Sequence, residues 1–253
     1  VSVMRRGEMT ATVKTADTTP EGLAELMVGR KVLLRVEKDP ARPKDIVLEV
    51  QNLSFVDASG VARLKDINLE LRAGEILGIA GVAGNGQFEL LEILGGMRHA
   101  SAGAALYKSA PLPLSGATAN GRARRQMGIA HIPEDRQTAG LIMPFMAWEN
   151  IAFGYHERAA YQAGATLMDN AAIQKDCAEK MAQFDIRPPD IMLPARNFSG
   201  GNQQKIVVAR EMAHTPDLLL IGQPTRGVDI GAIEFIHRQI IALRDQGCAI
   251  LLV

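Results

Sequence analysis

The feature that most constrains this chain is a glycine loop set between two apolar segments. Residues 76–80 have the run of a buried strand, and residues 88–94 have the pattern of a helix. Between them stand Gly81, Val82, Ala83, Gly84, Asn85, Gly86 and Gln87. Strand, glycine-rich turn and helix in that order are the context of a phosphate-binding P-loop. Glycines allow backbone N–H groups to turn toward an anion at the start of the helix. Two positions depart from that chemistry. Gln87 stands where a P-loop carries lysine, and Phe88 stands where it carries the Mg²⁺-binding Ser or Thr. Taken alone, the pattern is equally an ordinary strand-to-helix turn. As a dinucleotide fingerprint it lacks the third glycine.

The rest of the sequence supplies the context. A length of 253 residues suits one large α/β domain or two small ones. An apolar content of 47% supports a full core and argues against disorder. Lys and Arg together number 28, as do Asp and Glu, so the chain offers no electrostatic case for nucleic acid or an anionic membrane surface. Cys177 and Cys248 form no metal-type pair and suit a reducing compartment. No apolar stretch has the length of a membrane-spanning helix, and no charged start with an apolar run marks a signal peptide. A start at Val1 and an end inside an apolar run, 247–253, read as a piece cut from a longer protein.

Residues 1–45 read as the tail of a preceding domain plus a linker: two short strands, a helix from Pro20 capped by Thr19 and closed by Gly29, then a proline-stiffened stretch from Asp39 to Lys44. From residue 46 a larger domain begins. Two strands, about 46–55 and 64–71, precede the glycine loop and predict a small antiparallel layer beside a parallel sheet. Residues 106–121 are rich in Pro, Ser, Gly and Ala and read as loop with room for one strand. A strand follows at 127–133, and His131 within it reads as structural rather than as a ligand. The stretch 143–196 reads as helical. Its clearest segment carries Ile173, Cys177, Met181 and Phe184 on one face behind a possible Asp169 cap. A helix opened by Ser199, Gly200, Gly201 and Asn202 leads to a buried strand at 218–221. The turn 222–229, a helix from about 231 to 246 and a final strand complete the chain. This alternation argues for a parallel sheet covered by helices on both faces.

Four motifs therefore stand in a fixed order: the glycine loop, Ile-Pro-Glu-Asp-Arg at 132–136, Ser-Gly-Gly at 199–201, and the run 218–229 ending in Asp229. This set resembles the ATP-binding subunit of ABC transporters over essentially all of residues 46–253. The Ser-Gly-Gly element is similar to the ABC signature, the most specific of the four, and 224–229 is similar to the segment that ends in the D-loop. The Glu-Asp-Arg run, followed by Gly140-Leu141 and 148–151, resembles one branch, the importers of simple sugars and nucleosides. Chains of that branch carry two such domains in tandem, and this one resembles the second. The resemblance implies a P-loop NTPase fold of the ABC type, with an antiparallel β layer and a helical subdomain at about 143–196. It implies nucleotide contacts at residues 81–88, at Ser199, Gly200, Gly201 and Asn202, and at Asp229. It also implies ATP as the bound cofactor and transmembrane permease subunits as partners. A first nucleotide-binding domain and, indirectly, a solute-binding protein join them at the cytoplasmic face of the membrane. The stretch from Met143 to Trp148 is placed to face the permease, with core packing an equal alternative for Met146 and Trp148. The glycine-loop pattern tilts the cargo slightly toward nucleosides. A non-transport ATPase of the same superfamily and a regulatory nucleotide sensor stay open as alternatives.

Several departures from that family fall in one half-site. The aspartate that holds Mg²⁺ is replaced by Gly222, and the glutamate that activates water is replaced by Gln223. Glu134 stands at the Q-loop glutamine. The aromatic that stacks on adenine should fall near Asp57, with Phe55 close by on the other strand face. The switch histidine would lie beyond Val253. Phosphoryl transfer needs positive charge around the oxygens and an oriented water. Gln87 carries no charge, Phe88 and Gly222 offer no oxygen to Mg²⁺, and Gln223 cannot accept a proton as a general base. Losing one preorganised donor costs roughly 10²–10³ in rate, although such losses need not multiply. No metal ligand set is expected here, and Mg²⁺ is expected only at the partner site. The intact Ser199-Gly200-Gly201 face is expected to complete that site, whose P-loop lies on the other domain.

Overall fold

The computed structural model describes residues 1–5, 7–29, 38–164, 167–228 and 230–253. At the N-terminus β1 (Ser2–Arg5) and β2 (Glu8–Thr12) form an antiparallel hairpin. The helix α1 (Pro20–Val28) follows. Thr19 caps it by accepting from the Gly22 N–H at 3.1 Å, and Gly29 closes it at φ 85°. The stretch from residue 38 to 45 is tied down near both ends. Asp39 O accepts from Arg244 Nη2 at 2.9 Å, and Lys44 N donates to Ala73 O at 2.9 Å.

Two sheets make the body of the molecule. The long strands β3 (Ile46–Val56) and β4 (Ala62–Arg72) pair antiparallel, with Val50 opposite Leu69. They are joined by β6 (Ala102–Tyr107) and β7 (Ala110–Pro111) in the order β4-β3-β6-β7. The second sheet is wholly parallel, in the order β5-β10-β9-β8: β5 (Ile76–Gly78), β8 (Ile129–Ile132), β9 (Leu218–Ile221) and β10 (Ala249–Leu252). Every residue of β9 is buried, as expected of an inner parallel strand covered on both faces.

Side-chain alternation divides the core in two. Ala130, Ile132, Leu219, Ile221 and Ile250 face one cluster. It is built by α4 (Ala147–Ala152), α5 (Asn170–Gln183), α6 (Gly200–Met212) and α7 (Ile230–Asp245). Their neighbours Ile129, Leu218, Leu220, Ala249 and Leu251 face the other cluster, where α2 (Gln87–Leu94) and the antiparallel sheet close the layer. The remaining helix, α3 (Gly121–Gln126), leads into β8.

Ile173, Cys177, Met181 and Phe184 are all buried, and Asp169 caps α5 by accepting from Ala172 N at 2.9 Å. Two sequence readings need correction. The segment read as loop with room for one strand contributes both the end of β6 and β7. Its Pro-, Ser- and Gly-rich composition gives little strand propensity, and the pairing of Leu106 with Glu49 and of Tyr107 with Leu48 and Ala110 supplies the order instead. The stretch 143–196 is less helical than read. It holds α4, α5 and two short 3₁₀ turns, because Gly154, Gly164, Pro188, Pro189 and Pro194 interrupt the helical period.

Candidate functional site

The glycine loop leaves the C-terminal edge of β5, where Ile79 N donates to Leu252 O at 2.8 Å. Residues 81–85 are exposed. Gly84 and Gly86 lie at φ 91° and 95°, a region that favours glycine. Gly86 is also needed for space, since a methyl group there would strike Arg63 O and lie 2.8 Å from Leu64 Cδ2. Among the described residues no backbone carbonyl accepts from the N–H groups of residues 81–86. The loop therefore fits an anion, with free donors at the start of α2.

The side chain of Gln87 turns back into this cradle. It is 8% exposed, and its Nε2 donates to Val82 O at 3.1 Å while crowding Gly81. Its Oε1 is buried without a partner. A neutral amide thus braces the loop where a cation would meet phosphate.

The metal position is closed rather than merely stripped of ligands. Phe88 is half-buried and lines a cavity of about 110 Å³ with Leu91, Pro133, Glu134 and Thr138. Gly222 follows β9 and donates its N–H to Ile132 O at 2.9 Å. A methyl group on it would sit 3.0 Å from Glu134 N and 3.3 Å from Leu91 Cδ1. Gln223 sits at φ 41° and donates its N–H to Val253 O at 2.9 Å. Glu134 forms an ion pair with Arg226. Among the described residues no group of three His, Cys, Asp or Glu side chains could hold a metal ion. These residues do not fit Mg²⁺, a hard cation that takes oxygen ligands.

The position for a base-stacking aromatic holds a turn instead. Asp57 accepts from the Ser59 hydroxyl at 2.6 Å, from Arg63 Nε at 2.7 Å and from Val61 N at 3.0 Å. The Ser59 hydroxyl and then Arg63 hold its carboxyl well below the usual range. Phe55 is buried beneath the Arg98 guanidinium, 5.1 Å from the ring centre.

The signature residues form a separate face. Ser199 is exposed and caps α6, with its Oγ accepting from Asn202 Nδ2 at 2.9 Å. Asn202 Oδ1 in turn accepts from Arg187 N at 2.8 Å. Gly200 and Gly201 begin the helix. Asp229 lies outside the described residues. Among the described residues no hydrogen bond or ion pair joins 81–88 to 199–202, so the two halves of the expected nucleotide site do not meet within this chain.

Sequence reasoning assigned no role to Arg136, Gln137 or Arg226, and the structure brings them together. Arg136 Nη1 donates to Arg226 O at 2.9 Å, and Gln137 Nε2 donates to Gln203 Oε1 at 3.2 Å. The partners lie too far apart in the sequence for spacing to reveal them. His131 is held neutral by burial, at about 4. Trp148 packs against the helical core cluster and against a smaller one formed by Ala152, Tyr155, Tyr161 and Ile173, and Met143 packs against the first. A cavity of about 260 Å³ lined by Arg122, Arg125, Tyr155, Arg158 and His214 shares no residue with the loop or the signature face.

A parallel sheet, a P-loop at its edge and a capped Ser-Gly-Gly helix define a nucleotide-binding domain of the P-loop NTPase class. The chain belongs to the ABC transporter family, whose sequence profile matches residues 64–226. It is 40% identical over its whole length to the nucleoside import ATP-binding protein NupA of Lactococcus lactis. It is also 40% identical to the guanosine import ATP-binding protein NupO of Bacillus subtilis, and 34% identical to a ribose import ATP-binding protein, RbsA 1, of Rubrobacter xylanophilus. The chain spans 49%, 48% and 48% of those relatives. Its fold matches the dimeric post-hydrolysis state of the ATP-binding cassette MJ0796 bound to ADP and Pi. The TM-score is 0.69 at 22% identity, over 81% of this chain and 87% of that one.

Proposed function

We propose that this chain is the second, signature-donating half of a two-domain ATP-binding subunit that powers import of a nucleoside or simple sugar. Residues 1–45 are the end of the preceding domain and its linker. The names of the relatives and their roughly double length support this reading, and the 40% relatives named for nucleoside and guanosine import favour a nucleoside. The observation that carries it is the split between the two faces. Gln87, Phe88, Gly222 and Gln223 lack the cation, both metal oxygens and the base, while an exposed Ser199 cap and the half-buried Gly200 and Gly201 keep the helix start intact.

Gly81 to Gly86, together with Val82, Ala83 and Asn85, bind the phosphates of ATP through backbone N–H groups, without Mg²⁺ and without turnover. Ser199, Gly200, Gly201 and Asn202 complete the catalytic site whose P-loop, and Mg²⁺, belong to the first domain. Asp229 lines the same interface. Glu134, at the Q-loop, faces the degenerate site. The partners are the first domain and the permease subunits at the cytoplasmic face of the membrane, with a solute-binding protein engaged through the permease. No described helix is long and apolar enough to cross a membrane. Zero net charge argues against a nucleic-acid partner.

The test is steady-state ATPase of the two-domain protein assembled with its permease. Ser199→Ala combined with Gly200→Asp abolishes turnover, whereas Gln87→Ala lowers it far less. The reverse ranking refutes the assignment of faces. No turnover in the unaltered complex makes the chain a nucleotide sensor instead.

A further inference from the structure

The segment after β8 makes a single π turn at Arg136–Gly140. Asp135 fixes its start by accepting from Gln137 N at 2.9 Å and Thr138 N at 3.2 Å. The turn lies against α6, for a methyl group on Gly140 would sit 3.2 Å from Val207 Cγ2. Two consecutive side chains then reach the signature end of that helix. Gln137 donates to Gln203 Oε1, and the buried Gln203 amide donates to Ala195 O and Phe198 O, each at 3.1 Å. Those carbonyls belong to the residues that deliver the chain to Ser199.

Arg136 approaches from the other side. Its guanidinium fills the space left by two glycines. A methyl group on Gly200 would lie 2.6 Å from Nη2 and 3.2 Å from Gly227 O, and one on Gly227 would lie 3.5 Å from Nη2 and 3.7 Å from Nη1, so the guanidinium lies along a direct contact between the two backbone segments. Nη1 is held by Arg226 O. Among the described residues no carboxylate pairs with it, since Glu134 is taken by the Arg226 side chain and Asp135 by its own turn. A cation beside a helix N-terminus has the wrong sign for stability. Its planar shape, however, suits a slot between two backbone segments.

We infer that Arg136 is a positioning residue for the signature. Its guanidinium flanks the contact between the first turn of α6 and the Gly227 carbonyl and holds the two in register, and Gln137 braces the same end through Gln203. Arg226 is gripped twice by the segment 134–136, at its side chain by Glu134 and at its carbonyl by Arg136. The Q-loop segment, the turn after β9 and the signature are therefore tied into one network of contacts. This inference rests on the proposal that Ser199 and Gly200 complete a site on the first domain.

The test is a substitution cycle in the two-domain protein with its permease, reading kcat and KM for ATP. Arg136→Ala is expected to lower kcat roughly 10- to 100-fold, the scale of a small misplacement in a reacting constellation. KM should change little, because the other domain's P-loop holds the nucleotide. Arg136→Lys keeps the charge but not the fork, so it should fail to restore kcat; it also serves if the alanine variant does not fold. Gly200→Ala displaces the guanidinium, so adding Arg136→Ala in that background should cost little more. Independent, multiplying effects, or wild-type kcat in Arg136→Lys, overturn the inference. Ser199→Ala separates the two failures. If it abolishes turnover while both Arg136 variants stay active, only the positioning role falls. If it leaves turnover intact, the assignment of the signature face falls first.

Discussion

Restoring the missing aspartate at residue 222 should harm the protein instead of repairing its metal site. In the structure a methyl group on Gly222 already meets Glu134 N at 3.0 Å, Leu91 Cδ1 at 3.3 Å and Glu134 Cα at 3.4 Å. Two of those three atoms are backbone, and the third belongs to a side chain that is 1% exposed. Neither can give way freely. Overpacking of this kind costs about 1–3 kcal/mol. For a chain of 253 residues that corresponds to a fall in Tm of about 2–12 °C. Thermal unfolding followed by the emission of Trp148, the single tryptophan, reads the change directly. Mg²⁺ should not raise the Tm of Gly222→Asp, because Phe88 still supplies no second oxygen ligand. An unchanged Tm, or a clear Mg²⁺-dependent rise, would show that the position is open and that closure by the Glu134 backbone is not what excludes the metal.

Glu211 is fully buried, with Arg210 Nε at 2.8 Å, Tyr155 Oη at 2.8 Å and Arg125 Nη2 at 3.3 Å. Glu211→Gln leaves two guanidiniums without their counter-charge and should cost about 3–5 kcal/mol, read as a lower urea midpoint. Burial pushes that carboxyl up, but Arg210 and Arg125 outweigh it and hold it below its ordinary 4.5. Its contribution is therefore complete above pH 4.5 and lost as pH falls through the lower folded value. His131 and His214 are both held near 4 by burial, against an ordinary 6.5. Each is neutral in both states above pH 6.5, so stability should fall as pH drops from 6.5 toward 4. The loss is up to about 3 kcal/mol for His131 and less for the more exposed His214. His131→Gln should flatten that slope in pH-dependent unfolding, and an unaltered slope would contradict its burial as a neutral ring.

Much of this molecule could be read from local pattern. The glycine loop, the Ser199 cap and the all-apolar run at β9 report their own geometry, because a positive φ, a capping hydroxyl and an inner parallel strand each impose a residue type within a few positions. The end of β6 with β7, inside the loop-like stretch 106–121, and the broken helical region after Met143 escape local pattern, since pairing partners and proline interruptions decide them rather than propensity. The losses at Gln87, Phe88, Gly222 and Gln223 were visible as letters. That Gln87 folds back to Val82, and that Glu134 closes over Gly222, could be known only once separate strands were laid side by side. The same holds for Arg136. Its place between Gly200 and Gly227 joins residues far apart along the chain, and only the packing of α6 against the π turn brings them within reach. Sequence determined which groups were present, through short-range backbone and capping rules. Tertiary structure decided which of them touch, because contact across a sheet or between helices carries no fixed spacing in the chain.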